Sequence, residues 1–291
     1  MTPPRTAAPR TAASRVFLTA ALVAGGAAAV FPMVWMLAAS FMRPGEASTY
    51  PPHLVPRAPT LEHYRALFTR LALGRYALNS LLVAALVTGL SLVVNAAAGY
   101  AFAKLRFRGR DGLFRVLVTA LVVPTQVAML PLFLLLKALH LVNTYAGVVV
   151  PALASIFGIV LVRQYALAIP DDLLDAARVD GAGEWRLFRS IVLPALRPVL
   201  ATLSIWTFLA TWNDFMWPLI VLSDDRRYTL PVALAGLLGE HAQDAELMMA
   251  GSVLTLLPVL VVFLALQRYY IEGVTAGSVK SGRTHLIRSN R

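Results

Sequence analysis

Residues 16–41 form an apolar run of 26 residues without a single charged side chain. As a helix rising about 1.5 Å per residue, that run is long enough to cross the roughly 30 Å hydrocarbon core of a bilayer. It is also well beyond the apolar stretch of a cleaved signal peptide, about 7–15 residues, so we read it as a first spanning helix. Five further runs follow, at 81–103, 112–136, 144–162, 199–222 and 248–267. Inside hydrocarbon every backbone polar group must be satisfied within the segment, which makes spans of this length helices. The expected fold class is an all-α membrane protein with six transmembrane helices. Composition agrees: 58% of the residues are hydrophobic and only 14% charged, against nearer half and a quarter in soluble domains. There is no cysteine, which excludes disulfides, thiolate metal sites and cysteine nucleophiles.

Between the first two runs, Pro44, Pro51, Pro52, Pro56 and Pro59 preclude a regular element. From Thr60 the pattern turns helical, with Leu61, Tyr64, Leu67, Phe68 and Leu71 on one face of a helix at the membrane surface. In the second run, Ala85 and Gly89 form a small-xxx-small pair expected to admit a neighbouring helix. Pro124 and Pro131 interrupt the third run, and Pro151 and Pro258 lie inside the fourth and sixth.

Six spans put both termini on one side of the membrane. That side collects 18 of the 26 Lys and Arg, the other side 8, while the acids divide evenly with Asp214 alone inside a span. The bias places both termini, and the polar segment 170–198 between the fourth and fifth runs, in the cytoplasm. The net charge of +11 is then a cytoplasmic excess beside anionic lipid, and nucleic acid is not an expected partner. The organisation is a cytoplasmic tail over 1–15, a membrane domain over 16–272 and a second cytoplasmic tail over 273–291.

Bond-making chemistry is missing. Gly277-Ser278-Val279-Lys280-Ser281-Gly282 lacks the second glycine before lysine that a phosphate loop needs. The five histidines are scattered without metal spacing, and no serine sits in a G-x-S-x-G elbow. The expectation is a protein that moves or holds something, with no bound cofactor. Polar side chains inside the spans are costly, so Asn95, Gln126 and the sequence Trp212-Asn213-Asp214 are candidates for a pathway or gate, or for hydrogen-bond anchors between helices. A secondary transporter would need intramembrane ion ligands, for which Asp214 is the sole acidic candidate.

The segment 170–198 is charged yet patterned. Pro170 suits a first helical turn, and Asp171 and Asp172 suit the positive end of that helix. Leu174, Ala177 and Gly181 fall on one face, with Ala176 beside them; such a small-residue face admits close approach by a partner. Gly181 can end the helix with a positive φ. Glu184 then opens a second short helix through Trp185, Phe188 and Ile191, which Pro194 and Pro198 are expected to end. A helix this short is marginal in water, which points to a protein partner, the alternative being an amphipathic helix lying on the lipid face.

The residues Asp175-Ala176-Ala177, then Gly181, then Ile191-Val192-Leu193-Pro194 resemble the E-A-A…G…I-x-L-P signature of binding-protein-dependent ABC importer permeases, with Asp175 where the family usually has Glu. Tyr76 to Ser80, Ala98 to Phe107, Trp212-Asn213-Asp214 and Gly273 to Lys280 are similar to the carbohydrate permeases of the maltose and sn-glycerol-3-phosphate type, and above all to the six-span G subunit of the maltose type. The resemblance implies the type I importer permease fold with a cytoplasmic coupling helix-turn-helix. It implies a sugar as cargo, or alternatively a solute such as glycerol-3-phosphate. Asp175, Ala176, Ala177, Asp180, Gly181, Ile191, Leu193 and Pro194 would then meet a cytoplasmic ATPase, and Gly277, Val279 and Lys280 would lie along the ATPase dimer. ATP and magnesium would bind that partner, not this chain. A second, homologous permease would complete the path, and residues 223–247 would reach an extracytoplasmic solute-binding protein. The location implied is a bacterial inner membrane.

Overall fold

The computed structural model describes the backbone of residues 12–51, 53–240 and 244–283, and the side chains of residues 16–51, 53–236 and 244–265. Among the described residues the ordered elements are all helical. In chain order they are α1 (Ala12–Ala39), α2 (Glu62–Thr69), α3 (Leu73–Lys104), α4 (Arg110–Thr119), α5 (Thr125–Ala138), α6 (Tyr145–Ala152), α7 (Ile156–Leu167), α8 (Asp171–Val179), α9 (Glu184–Leu187), α10 (Leu193–Trp212), α11 (Met216–Val221), α12 (Leu230–Glu240) and α13 (Ala245–Arg283). Five stretches are long and apolar enough to cross a membrane: Val16–Ala39, Leu73–Lys104, Tyr145–Leu167, Glu184–Trp212 and Ala245–Ala265. The third expected span, 112–136, is instead a pair of helices bent by 109°. The bend falls at Val123 and Pro124, both extended. Proline's ring disfavours the helical region for the residue before it, so the chain leaves the helix at Val123.

Two other expected spans have different limits, each for a local reason. The helix of the second run begins at Leu73, eight residues ahead of residue 81. The fifth run, expected at 199–222, divides: one helical stretch runs from Glu184 to Trp212, and α11 follows as a separate helix after a break at Asn213, Asp214 and Phe215. Pro194 and Pro198 do not end the helix that Glu184 begins. A π-helical turn at Phe188–Val192 lies just ahead of them, and the helix continues through Pro194 in the first turn of α10 and Pro198 inside it.

The chain divides into two compact units, one of residues 1–71 and 237–254, the other of residues 72–236 and 255–291. In the first, Ala39, Met42 and Ala47 form a small core with Trp35 and Met249 against it. Buried Glu246 accepts the N–H of Ala47 at 2.6 Å, and buried His63 meets the Met42 carbonyl at 3.0 Å. The proline-rich segment is therefore irregular but bonded: Glu46 alone accepts the N–H groups of Arg43 and Arg57.

In the second unit α3 is central and packs against α7 and α10. Ala96, Tyr100 and Ala103 of α3 share one buried cluster with Val162 and Ala166 of α7 and with Leu196, Val199 and Leu203 of α10. The close approach is at Gly99, where an added Cβ would stand 2.5 Å from Val162 Cγ1. The Ala85–Gly89 pair does not play that part: both residues are exposed, and a Cβ on Gly89 would meet nothing within 4 Å. Small residues permit close helix contact, but the buried stripe of α3 runs elsewhere. Gly99→Leu is expected to force α3 from α7 and destabilise the solubilised protein by about 1–3 kcal/mol, whereas Gly89→Leu leaves its thermal unfolding midpoint unchanged. Equal midpoints for the two variants would contradict this packing.

Candidate functional site

The segment 170–198 forms a helix-turn-helix. Asp171 and Asp172 occupy the first turn of α8, where the free N–H groups and the helix dipole favour carboxylates. The helix stops at Asp180, and Gly181 takes a φ of +82°, a conformation that costs a side chain but not a glycine. The N–H of Ala182 then returns to the Ala177 carbonyl at 2.9 Å, which closes the turn ahead of Glu184.

Two sets of polar bonds tie this elbow to the end of α3. Glu184 is the hub of the first: its carboxylate accepts the Tyr100 hydroxyl at 2.6 Å and the Arg178 Nε at 2.9 Å. Arg178 also donates to Asp175 at 2.7 Å. In the second, the Lys104 ammonium donates to the Ile169 carbonyl at 2.6 Å and to Asp171 at 2.7 Å. That hydrogen bond, with the charge of Lys104, holds the Asp171 carboxyl below the usual carboxylate range. Its folded pKa is depressed, so the Lys104–Asp171 bridge is intact above the ordinary range and is lost as pH falls through the lowered value. Below these bonds lie Leu174, Leu187 and Phe188, in one apolar cluster with Tyr100, Ala103 and Ile169. The rings of Tyr100 and Phe188 are 5.5 Å apart.

The elbow thus uses its apolar residues on two sides. Leu174 is buried, and Ala177, Ala182, Ile191 and Leu193 pack on the internal cluster. The face of Leu174 and Ala177, expected to admit a partner, turns toward the chain's own core: Leu174 shares the buried cluster of Tyr100 and Ala103, and half-buried Ala177 packs on it. What points outward is Leu173, Ala176, Val179, Asp180, Gly181, Trp185 and Pro194, with Val179 88% and Trp185 72% exposed. Asp175 is exposed as well, and its carboxylate is engaged by Arg178. Tyr100 was not legible as part of this site from the motif alone. The available signal was its place four residues before Lys104, on the small-residue stripe of Ala96, Gly99 and Ala103.

The other candidates fall into separate settings. Asn95 is buried and brackets two helices: it donates to Ser91 within α3 at 2.7 Å and accepts the N–H of Ser155, at the start of α7, at 3.1 Å. Gln126 is exposed and meets Thr125 at 3.4 Å. Trp212 is buried and donates from its indole to the Thr255 carbonyl of α13 at 3.1 Å. Asn213 bonds back to the Leu209 carbonyl at 2.8 Å, and Asp214 accepts the N–H of Trp217 at 3.3 Å. Asp214 therefore sits in a helix break, where it satisfies a free donor of α11. Gly277, Val279 and Lys280 belong to α13 by their backbone, and the side chains of Val279 and Lys280 lie outside the described residues. Glu184→Ala leaves Arg178 with Asp175 alone and the Tyr100 hydroxyl without its acceptor. Tryptic cleavage after Arg178 in the solubilised protein is expected to be severalfold faster than in the wild type, because local opening is less costly without these bonds. An unchanged cleavage rate would show that the hub does not restrain the elbow.

Residues 95–275 match the family described as binding-protein-dependent transport system inner membrane component. The arabinooligosaccharides transport system permease protein AraQ of Halalkalibacterium halodurans is 39% identical over 259 residues, covering 87% of this chain and 91% of that protein. The lactose transport system permease protein LacG of Rhizobium radiobacter is 37% identical over 202 residues, covering 69% of this chain and 74% of that protein. In fold, the chain is similar to one chain of a bacterial ABC transporter involved in the import of the acidic polysaccharide alginate, with a TM-score of 0.78 at 23% identity, covering 91% of this chain and 100% of that one. The family match contains both the elbow and the buried stripe of α3 on which it rests. This chain belongs to the binding-protein-dependent transport system inner membrane component family, as a multi-pass permease subunit.

Proposed function

We propose that this chain forms half of the translocation path of an ATP-driven importer for a di- or oligosaccharide. The observation that carries the coupling role is the elbow: it is locked to α3 from within and presents Leu173, Ala176, Val179 and Trp185 at the surface, exposed among the described residues. The similarity to permeases named for arabinooligosaccharide and lactose transport supports the carbohydrate. A cytoplasmic ATPase dimer docks on the outward face of α8 through Asp175, Ala176, Asp180 and Gly181. Ala177, Ile191 and Leu193 hold that face in place from inside. Gly277, Val279 and Lys280 contribute a second ATPase contact. ATP and magnesium bind to the ATPase, and this chain hydrolyses nothing. A homologous second permease completes the path, and a solute-binding protein delivers the sugar from outside. Both termini are cytoplasmic, in keeping with the 18 to 8 distribution of Lys and Arg.

ATP binding closes the ATPase dimer and moves the elbow. The elbow has two independent attachments to α3 and an apolar cluster beneath it, so it passes that displacement on instead of absorbing it. The spans rotate, and access alternates between the two sides. The break at Asn213 and Asp214, and the polar side chains of Asn95 and Gln126, are the candidate gate and path groups.

Val179→Glu puts a charge on the most exposed apolar side chain of α8 without touching the internal cluster. The variant is expected to fold and insert as the wild type does, while copurification of the ATPase and sugar uptake both fall at least tenfold. An ATPase that still copurifies in full would refute docking on this face. Ala177 is unsuited to that test, because a larger side chain there disturbs the chain's own packing first.

A further inference from the structure

Three segments distant in sequence meet at the end of α3 opposite the elbow. Asn143, in the turn between α5 and α6, has a φ of +59°, a left-handed conformation that Asn adopts more readily than most residues. Its Oδ1 accepts the N–H groups of Ser223 and Asp224, both at 3.1 Å. Its own N–H donates to the Val221 carbonyl at 2.8 Å, and its carbonyl accepts from the Arg227 guanidinium. From α3, Asn79 Nδ2 donates to the carbonyls of Arg226 at 3.0 Å and Tyr228 at 2.9 Å, and the Ser80 hydroxyl accepts the N–H of Leu230 at 2.7 Å. Arg75 faces Asp225 at 3.8 Å.

These bonds are not part of any helix. Val221, Leu222, Thr229 and Leu230 are buried and need partners inside the protein, whereas water could satisfy the exposed Ser223 and Arg226 without these bonds. The bonds come from two other elements and converge on the root of one loop, residues 221–230. Asn143 is the side chain that reaches the root before the loop departs, and its backbone conformation aims its amide at two successive N–H groups. Asn79 and Ser80 then hold the remainder of the root on α3.

We propose that Asn143 is a positioning residue. It sets the direction in which the loop beginning at Leu222 leaves the membrane domain, so that an extracytoplasmic solute-binding protein meets the loop in one orientation, and Asn79 and Ser80 join that orientation to α3. The inference rests on the proposed function, which puts this end of α3 outside the cell.

The test uses the complete transporter with its solute-binding protein. Asn143→Gly keeps the left-handed backbone and its main-chain bonds but removes the amide, and Asn143→Asp restores an acceptor oxygen. With Asn143→Gly, the concentration of binding protein that half-saturates ATP hydrolysis is expected to rise about tenfold, equivalent to about 1.4 kcal/mol. Hydrolysis without binding protein is unchanged, and Asn143→Asp recovers most of the loss. The chain has no cysteine, so Arg226→Cys, at an exposed position, accepts a single spin label. Its spectrum is expected to become more mobile with Asn143→Gly and to return with Asn143→Asp. Equal half-saturation in Asn143→Gly and wild type overturns the inference, whatever the label does. So does a parallel loss of basal hydrolysis, which would mark a general structural role. A wild-type complex that ignores the binding protein sinks the proposed function as well; a wild-type complex that responds, with Asn143→Gly responding alike, sinks this inference alone.

Discussion

The approach of α3 to α7 at Gly99 is the constraint on which the second unit depends. With no Cβ on Gly99, Val162 enters the space a side chain would fill, and the two backbones come close enough for Ala96, Tyr100 and Ala103 to share one cluster with α7 and α10. In hydrocarbon no hydrophobic force draws helices together, so association rests on fit and on polar bonds between helices. Both are present along α3: the glycine supplies fit, and buried Asn95 joins α3 to the start of α7 through Ser155. The elbow rests on the same assembly, because Leu174, Leu187 and Phe188 add to the cluster that α3, α7 and α10 begin. A change at Gly99 would therefore be felt at α8, without any contact between the two.

The sequence and the structure part company where a backbone detail outweighs a pattern. Runs of membrane length and the elbow were legible because each depends on composition over many residues. Their limits were not. Pro124 lies in a run that reads as one span, and the extended backbone at Val123 turns it into two helices at 109°. Pro194 and Pro198 read as a stop, and a π-helical turn just ahead of them lets the helix run on to Trp212. The opposite effect occurs at Asp214, where an apolar run reads as continuous and the backbone breaks, leaving the carboxylate to satisfy α11.

The candidate site shows the same division. Spacing picks out Asp175, Ala176, Ala177 and Gly181, but spacing does not say which face of a nine-residue helix is already occupied. The structure turns Leu174 and Ala177 inward and leaves Ala176 and Val179 outside. Nor does spacing reveal that Glu184 gathers Tyr100 and Arg178, since Tyr100 is 84 positions away in the chain. Such bonds follow from the helix packing, and that packing turns on small residues whose meaning depends on the neighbour each one meets. Ala85 and Gly89 read as well as Gly99 does, yet both are exposed, and a Cβ on Gly89 would meet nothing within 4 Å among the described residues.

Helix α3 is fastened near both ends, by Asn79 and Ser80 to the root of the 221–230 loop and by Tyr100 and Lys104 to the elbow. Its 32 residues make a rod about 48 Å long. A rod of that length, tilted by about 5° about its centre, carries its two ends about 2 Å in opposite directions. Coupling between two binding sites is reciprocal by thermodynamic necessity. To the extent that a ligand on the elbow favours one tilt and so changes affinity at the loop, a ligand on the loop changes affinity at the elbow by the same factor. A helix clasped in this way has no sending end and no receiving end.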